Sequence, residues 1–178
     1  MHRLVLIERD PFSYASWPSL IQKQRIPELS VQEVVSKYQG FEGELVCFFE
    51  VKENANDFKK MMDECLKLKQ LGSCFLLDVL SSPSEMPSFL KDQAIKVGYD
   101  VGVCEEESTI YSSIFHEILF GIIDELVAYK DFLNENFLFP DRSLAEKYVE
   151  MHNEMSAQGK DVEDYMEMTI YEIWKHDV

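Results

Sequence analysis

Glycine is scarce in this chain, seven residues in 178, and none of the seven falls into a GxGxxG or Walker spacing. A phosphate cradle of that kind needs glycines that let backbone amides close on the ligand, so nucleotide binding through such a loop is excluded. No GxSxG turn is present to hold a nucleophilic serine. The four cysteines, Cys47, Cys65, Cys74 and Cys104, never approach CxxC spacing. That excludes the common zinc and redox motifs, and four is too few for a secreted disulfide scaffold. Cys47 and Cys74 lie in apolar runs, where a free thiol behaves as a small hydrophobe. Reduced, structural thiols fit a reducing compartment. No apolar run nears the roughly 20 residues that a membrane-spanning helix needs. The N-terminal apolar stretch, Leu4 to Ile7, stops at Glu8-Arg9-Asp10, so no signal peptide is expected and a cytoplasmic location is.

Basic residues are missing from one half. The net charge is −16. Residues 1–96 hold 12 Lys and Arg against 14 Asp and Glu, whereas residues 97–178 hold 5 against 19. A field of that sign repels nucleic acid and anionic membrane and draws in basic partners.

What is present reads as α/β (α+β). Hydrophobic content of 46% over one domain's length suffices for a core. Residues 3–8 are β-branched and apolar, a first strand that ends at Asp10-Pro11. Ser30-Val31-Gln32-Glu33 has the capping-box form and predicts a short helix closed by Gly40. Residues 44–51 and 74–80 are buried-type strands. Between them, Phe58, Met61, Met62, Cys65 and Leu66 form a helical stripe. Strand, helix and strand in that order predict parallel strands joined by a right-handed crossover. Residues 81–87 are a loop. Ile95, Val97, Tyr99, Val101 and Val103 alternate at period two, giving a small mixed or parallel sheet of about four strands in residues 1–103.

Beyond residue 104 the expectation is helical. Ile110, Ile114, Ile118, Ile122 and Leu126 recur every four residues, the spacing of one wide helical stripe. Unbroken to residue 136, that central helix would be roughly 40 Å long. Ser143 is expected to cap a further helix running to Gly159. Asp161 is expected to cap a last one, with Tyr165, Thr169, Ile170, Ile173 and Trp174 on its stripe. One domain, 1–178, follows from a central helix with apolar residues to share.

Catalytic constellations are thin. His116-Glu117 opens like a zinc-protease helix, but position 120 is Phe and the second ligand is lost. Glu172 with His176, and Glu150 and Glu154 around His152, have ligand spacing only if they lie on helices, and a solvated face explains both. No metal and no cofactor is expected. Asp78, near the carboxyl end of a central strand and followed by Ser81, is the candidate if a small molecule binds. The stronger feature is carboxylates mixed with aromatics. Glu105, Glu106 and Glu107 precede the expected central helix. Asp161, Glu163, Asp164 and Glu167 crowd the start of the last one. A helix dipole favours acids at its N-terminus, but it does not call for seven. Tyr111, Tyr129, Tyr148, Tyr165, Tyr171 and Trp174 are rings of a kind enriched at interface hot spots, although most belong in a core.

A small chain without catalytic motifs, in which the turn Gly98-Tyr99-Asp100-Val101-Gly102 leads into an acidic, aromatic-bearing half, resembles the immunity proteins of bacterial toxin systems, including contact-dependent growth inhibition. The resemblance implies stoichiometric binding to a cognate toxin domain, often a basic nuclease, by a protein that is not itself an enzyme. It transfers no residue roles. Two other classes compete with it: an α/β enzyme or small-molecule sensor centred on Asp78, and an acidic mimic of DNA. The two carboxylate clusters are the expected partner-binding residues.

Overall fold

The computed structural model describes residues 2–9, 45–50, 66–70, 73–81, 94–104, 110–121, 123–160 and 168–177, with isolated positions 36, 39, 63 and 92. All of the expected helix at 30–40 except positions 36 and 39, and most of the loop at 81–87, lie outside them. The chain has mixed α+β character and divides into two compact units. One comprises residues 1–14, 23–96 and 174–178, and the other residues 15–22 and 97–173.

The first unit is built on strands β1 (His2–Arg9), β2 (Leu45–Glu50) and β3 (Ser73–Leu80). β1 lies between the other two and is antiparallel to both, with Val5 opposite Phe49 on one side and Leu76 on the other. The parallel pairing expected of β2 and β3 is therefore corrected. They do run in the same direction, but β1 separates them and pairs with each. At the end of β3, Leu77, Val79 and Leu80 are buried, and consecutive buried positions on a strand mean that both of its faces are covered there. A 3₁₀ turn at Leu66–Gln70 leads into β3. The last residues of a C-terminal strand, β6 (Thr169–Asp177), belong to this unit and neighbour β3.

The second unit contains β4 (Ile95–Cys104) from Val97 onward, the short β5 (Ile110–Ser112) and the first residues of β6, in the order β6-β4-β5. β4 and β5 are antiparallel, with Gly102 opposite Ser112 and Cys104 opposite Ile110. After β5 come a π-helical turn (Ile114–Leu119), helix α1 (Asp124–Val127), a 3₁₀ turn (Ala128–Phe132) and helix α2 (Arg142–Ala157).

The long central helix is thus corrected to a strand and three short turns. Its Ile stripe is real, since Ile114, Ile118 and Leu126 are fully buried. Yet the stretch is rich in β-branched residues, which lose side-chain freedom in a helix. Ser112 is drawn into the β4–β5 pair by a 2.7 Å hydrogen bond to Asp100. At the far end of the π-helical turn, a Cβ on Gly121 would lie 1.9 Å from the Glu117 carbonyl oxygen, so this close backbone approach requires glycine. The last predicted helix is corrected over its described part, because residues 169–177 form β6. Five of its nine residues, Thr169, Ile170, Tyr171, Ile173 and Trp174, are β-branched or aromatic, and such residues suit a pleated sheet at least as well as a helical stripe.

The helix α2 is the element most closely matched to expectation. Asp141, not Ser143, is its N-cap. The Asp141 carboxylate accepts from Leu144 N at 3.0 Å and from Ser143 Oγ at 2.7 Å. At the other end Gly159 adopts φ 71°, while Lys160 N donates to Met155 O and Gly159 N to Ser156 O. Both bonds satisfy carbonyls that the helix end would otherwise leave without partners. Ala145, Tyr148, His152 and Met155 form the buried face. The connection before α2 is pinned to β4 by an isolated bridge between Tyr99 and Phe139. Gly98 permits that approach, since a Cβ there would meet Leu138 Cβ at 2.8 Å and Phe139 O at 2.9 Å.

Candidate functional site

Three groupings of functional side chains stand out among the described residues, two buried and one exposed. The first lies within the initial unit, where β3 and the end of β6 are neighbours. Asp78 and His176 are 0% and 1% exposed, and His176 Nε2 lies 2.8 Å from Asp78 Oδ2. A buried carboxylate needs a partner, and the imidazole supplies one. This accounts for Asp78 as a cross-strand polar pair and leaves that oxygen committed to protein. The same geometry disposes of the Glu172–His176 metal pair. On a strand, residues four apart are about 13 Å apart, too far to share one ion.

The second grouping is a buried polar network in the other unit, and no motif in the sequence marks it. Asp100, Ser112, Ser113, Glu117, Tyr148 and His152 are all nearly or fully buried. They come from β4, the end of β5, the π-helical turn and the buried face of α2. Asp100 Oδ1 accepts from Ser112 Oγ at 2.7 Å and from Val101 N at 2.8 Å, while Oδ2 has no hydrogen-bond partner. Burial pushes the Asp100 carboxyl up to about 7, against the lowering effect of those two bonds. Ser113 Oγ and Tyr148 Oη share a 2.5 Å hydrogen bond. Burial likewise raises the Tyr148 phenol, opposed by the Ser113 bond, and the Glu117 and Asp100 carboxylates add to the rise.

His152 Nε2 is 3.8 Å from Glu117 Oε1, within electrostatic reach but beyond hydrogen-bond length. His152 was expected between Glu150 and Glu154 on a solvated face. Instead it turns inward while both glutamates stay exposed. No group of three or more metal-ligating side chains occurs among the described residues. Tyr148 also anchors an aromatic cluster, with Tyr129 at 5.3 Å and Phe139 at 5.5 Å between ring centroids. The network's chemistry is that of a polar core which fixes α2 against β4 and the π-helical turn.

The third grouping is the surface of the same unit. Asp124, Glu125, Asp131, Glu135, Asp141, Glu146, Glu150 and Glu154 are exposed, against only three exposed cations, Lys130, Arg142 and Lys147. Arg142 is paired with Glu146 at 3.0 Å, and Lys160 is bonded to Glu125. That bond holds the Glu125 carboxyl below its ordinary range. Asp141 is held low by its Ser143 and Leu144 bonds. Asp124, Asp131, Glu135, Glu150 and Glu154 have no ion pair among the described residues.

The expected partner-binding clusters, Glu105, Glu106, Glu107 and Asp161, Glu163, Asp164, Glu167, lie outside the described residues. The next described element after the first cluster is β5, and after the second it is β6. Of the six rings weighed between interface and core, Tyr148 and Tyr171 are buried and Tyr129 and Trp174 half-buried, while the side chains of Tyr111 and Tyr165 lie outside the description. Among the described residues the exposed rings are Phe120, at 71%, and Phe132, at 52%. In the sequence Phe120 stood out only as the residue that breaks the His116-Glu117 zinc pattern. Comparison with protein-family models, curated proteins and solved structures gave no match.

Proposed function

We propose that this chain is a non-enzymatic protein-binding inhibitor of the immunity type, acting in the cytoplasm on a basic cognate toxin domain, in the first instance a nuclease. The observation that carries the reading is uncompensated acidity: 19 carboxylates against 5 cations in residues 97–178. Eight carboxylates face solvent against three cations in the described part of that region. Carboxylates at this density repel one another, a cost that natural proteins accept where charge serves association. A nuclease domain grips phosphate through a basic face, and an acidic protein complements that face, associates fast and denies it to nucleic acid. The helix-dipole account of Glu105–Glu107 requires a helix after them, and the next described element is the strand β5. The assignment of the two clusters at 105–107 and 161–167 to the partner rests on their charge in the sequence.

The test is a tagged pull-down from the source lysate at about 0.1 M and about 0.5 M salt, conditions that differ in how far surface charge is screened. Both the native chain and one with the two clusters reversed to lysine are used. A single dominant basic protein at equal stoichiometry, retained at the higher salt and lost with the reversed chain, supports the reading. Many basic proteins at low salt and none at high salt point to a general mimic of DNA and overturn it. A dominant partner held equally by the reversed chain keeps the inhibitor and moves the interface elsewhere.

A further inference from the structure

Two large apolar rings stand in solvent where the acidic unit turns sharply: Phe120 after the π-helical turn and Phe132 at the end of the 3₁₀ turn. The three short turns between residues 114 and 132 touch one another, so these rings ride on one packed cluster. Each ring is steadied from below. Phe115 lies 5.0 Å from Phe120, and Tyr129 lies 5.9 Å from Phe132. Between the two in sequence are exposed Asp124, Glu125 and Asp131, with Lys130 the one exposed cation of that span.

We infer that residues 120–121 and 123–132 form a docking surface for an arginine-bearing face of a protein partner. Rings and carboxylates exposed on one short stretch, with Asp131 and Phe132 adjacent in the chain, suit one side chain above others. A guanidinium is planar and weakly hydrated, so it lies on the ring face while its N–H groups bond the neighbouring carboxylate. A lysine ammonium satisfies the carboxylates but gains less from the ring. Asp124 and Asp131 have no ion pair among the described residues and are available for that role. Ring and carboxylate together thus select arginine, whereas carboxylates alone select any cation. The inference rests on the reading of the chain as an acidic binding protein and names the chemistry its partner presents.

The experiment uses the full chain and two fluorescent probes of equal length, an oligo-arginine and an oligo-lysine peptide, with binding followed by anisotropy at low salt. Each stacked ring is expected to favour the arginine peptide by about threefold, from the strength of exposed cation–π contacts. The double variant Phe120→Ser, Phe132→Ser should bind both peptides alike at the level of the native chain's lysine affinity. Asp124→Asn with Asp131→Asn should weaken both peptides. Equal binding of the two peptides by the native chain overturns this inference and leaves the acidic-surface reading standing. An arginine preference that survives the double Phe variant overturns it as well. Binding of neither peptide overturns both readings. Each of these side chains is exposed, and the far-ultraviolet spectrum of each variant checks that it has folded.

Discussion

Asp100 sits where a single proton has a calculable effect. Its carboxyl is buried on β4 and pushed up to about 7, chiefly by burial, from an ordinary value of 3.8. An acid whose pKa is higher in the folded chain than in the unfolded one takes up a proton on folding between the two values. Its contribution to stability is complete below pH 4 and is lost as pH rises through 7, on the order of 4 kcal/mol over that window. Asparagine keeps the oxygen that accepts from Ser112 and Val101 but has no proton to lose. Asp100→Asn is therefore expected to gain on the native protein as pH rises from 5 to 8, whatever fixed penalty the new amide brings. Urea midpoints of the two proteins at several pH values test this. A difference between them that stays constant with pH means that Asp100 remains in one state throughout. The residues around Asp100 were also the hardest to read from sequence. Asp100 looked like a turn former between two glycines, and Ser112, Ser113, Glu117 and His152 carried no motif. Side chains 35 or 12 positions apart meet only once β4, β5 and α2 pack together, and one-dimensional spacing holds no trace of that.

At the scale of elements, legibility followed how many independent signals agreed. The strands β1, β2 and β3 were visible because long apolar runs of β-branched and aromatic residues have few other uses. Their antiparallel pairing was not visible, because the sequence between two strands says nothing of a third that inserts between them. The helix α2 carried a stripe, an N-cap and a glycine stop, and all three agreed. The expected central helix had a stripe alone, and its Ile residues serve a strand and broken turns equally well. The same ambiguity turned the last expected helix into β6. Cap chemistry at α2 can be tested directly, because Ser143 and Asp141 are rival caps and the structure assigns the role to Asp141. Asp141→Ala should cost about 1 kcal/mol, the usual effect of removing an N-cap. Ser143→Ala should cost clearly less, since it loses only an exposed bond to the same carboxylate. Thermal unfolding of both variants decides it. A larger loss from Ser143→Ala reverses the assignment.

For the whole molecule, one charge distribution acts with opposite signs on folding and on association. The 19 carboxylates of residues 97–178 face 5 cations, so repulsion outweighs attraction within the chain, and local pairs such as Arg142–Glu146 offset little of it. Exposed pairs contribute only about 0–1 kcal/mol each. Added salt shortens the reach of the field to roughly 8 Å at 0.15 M and roughly 3 Å at 1 M. Screening relieves repulsion in the folded state more than in the extended unfolded one. Stability is therefore expected to rise between about 0.05 M and about 0.5 M sodium chloride, with the salt dependence of the reversed-cluster chain distinctly shallower. Association with a basic partner should slow over the same range, because the attraction that steers encounter is screened with the repulsion. Urea titrations at several salt concentrations give the first sign and stopped-flow association rates the second. If stability falls with salt, paired charges dominate the folded state and the acidity is already used internally, which removes the reason for seeking it at an interface. If stability rises while association slows, the charge that strains the free protein is the charge its partner relieves.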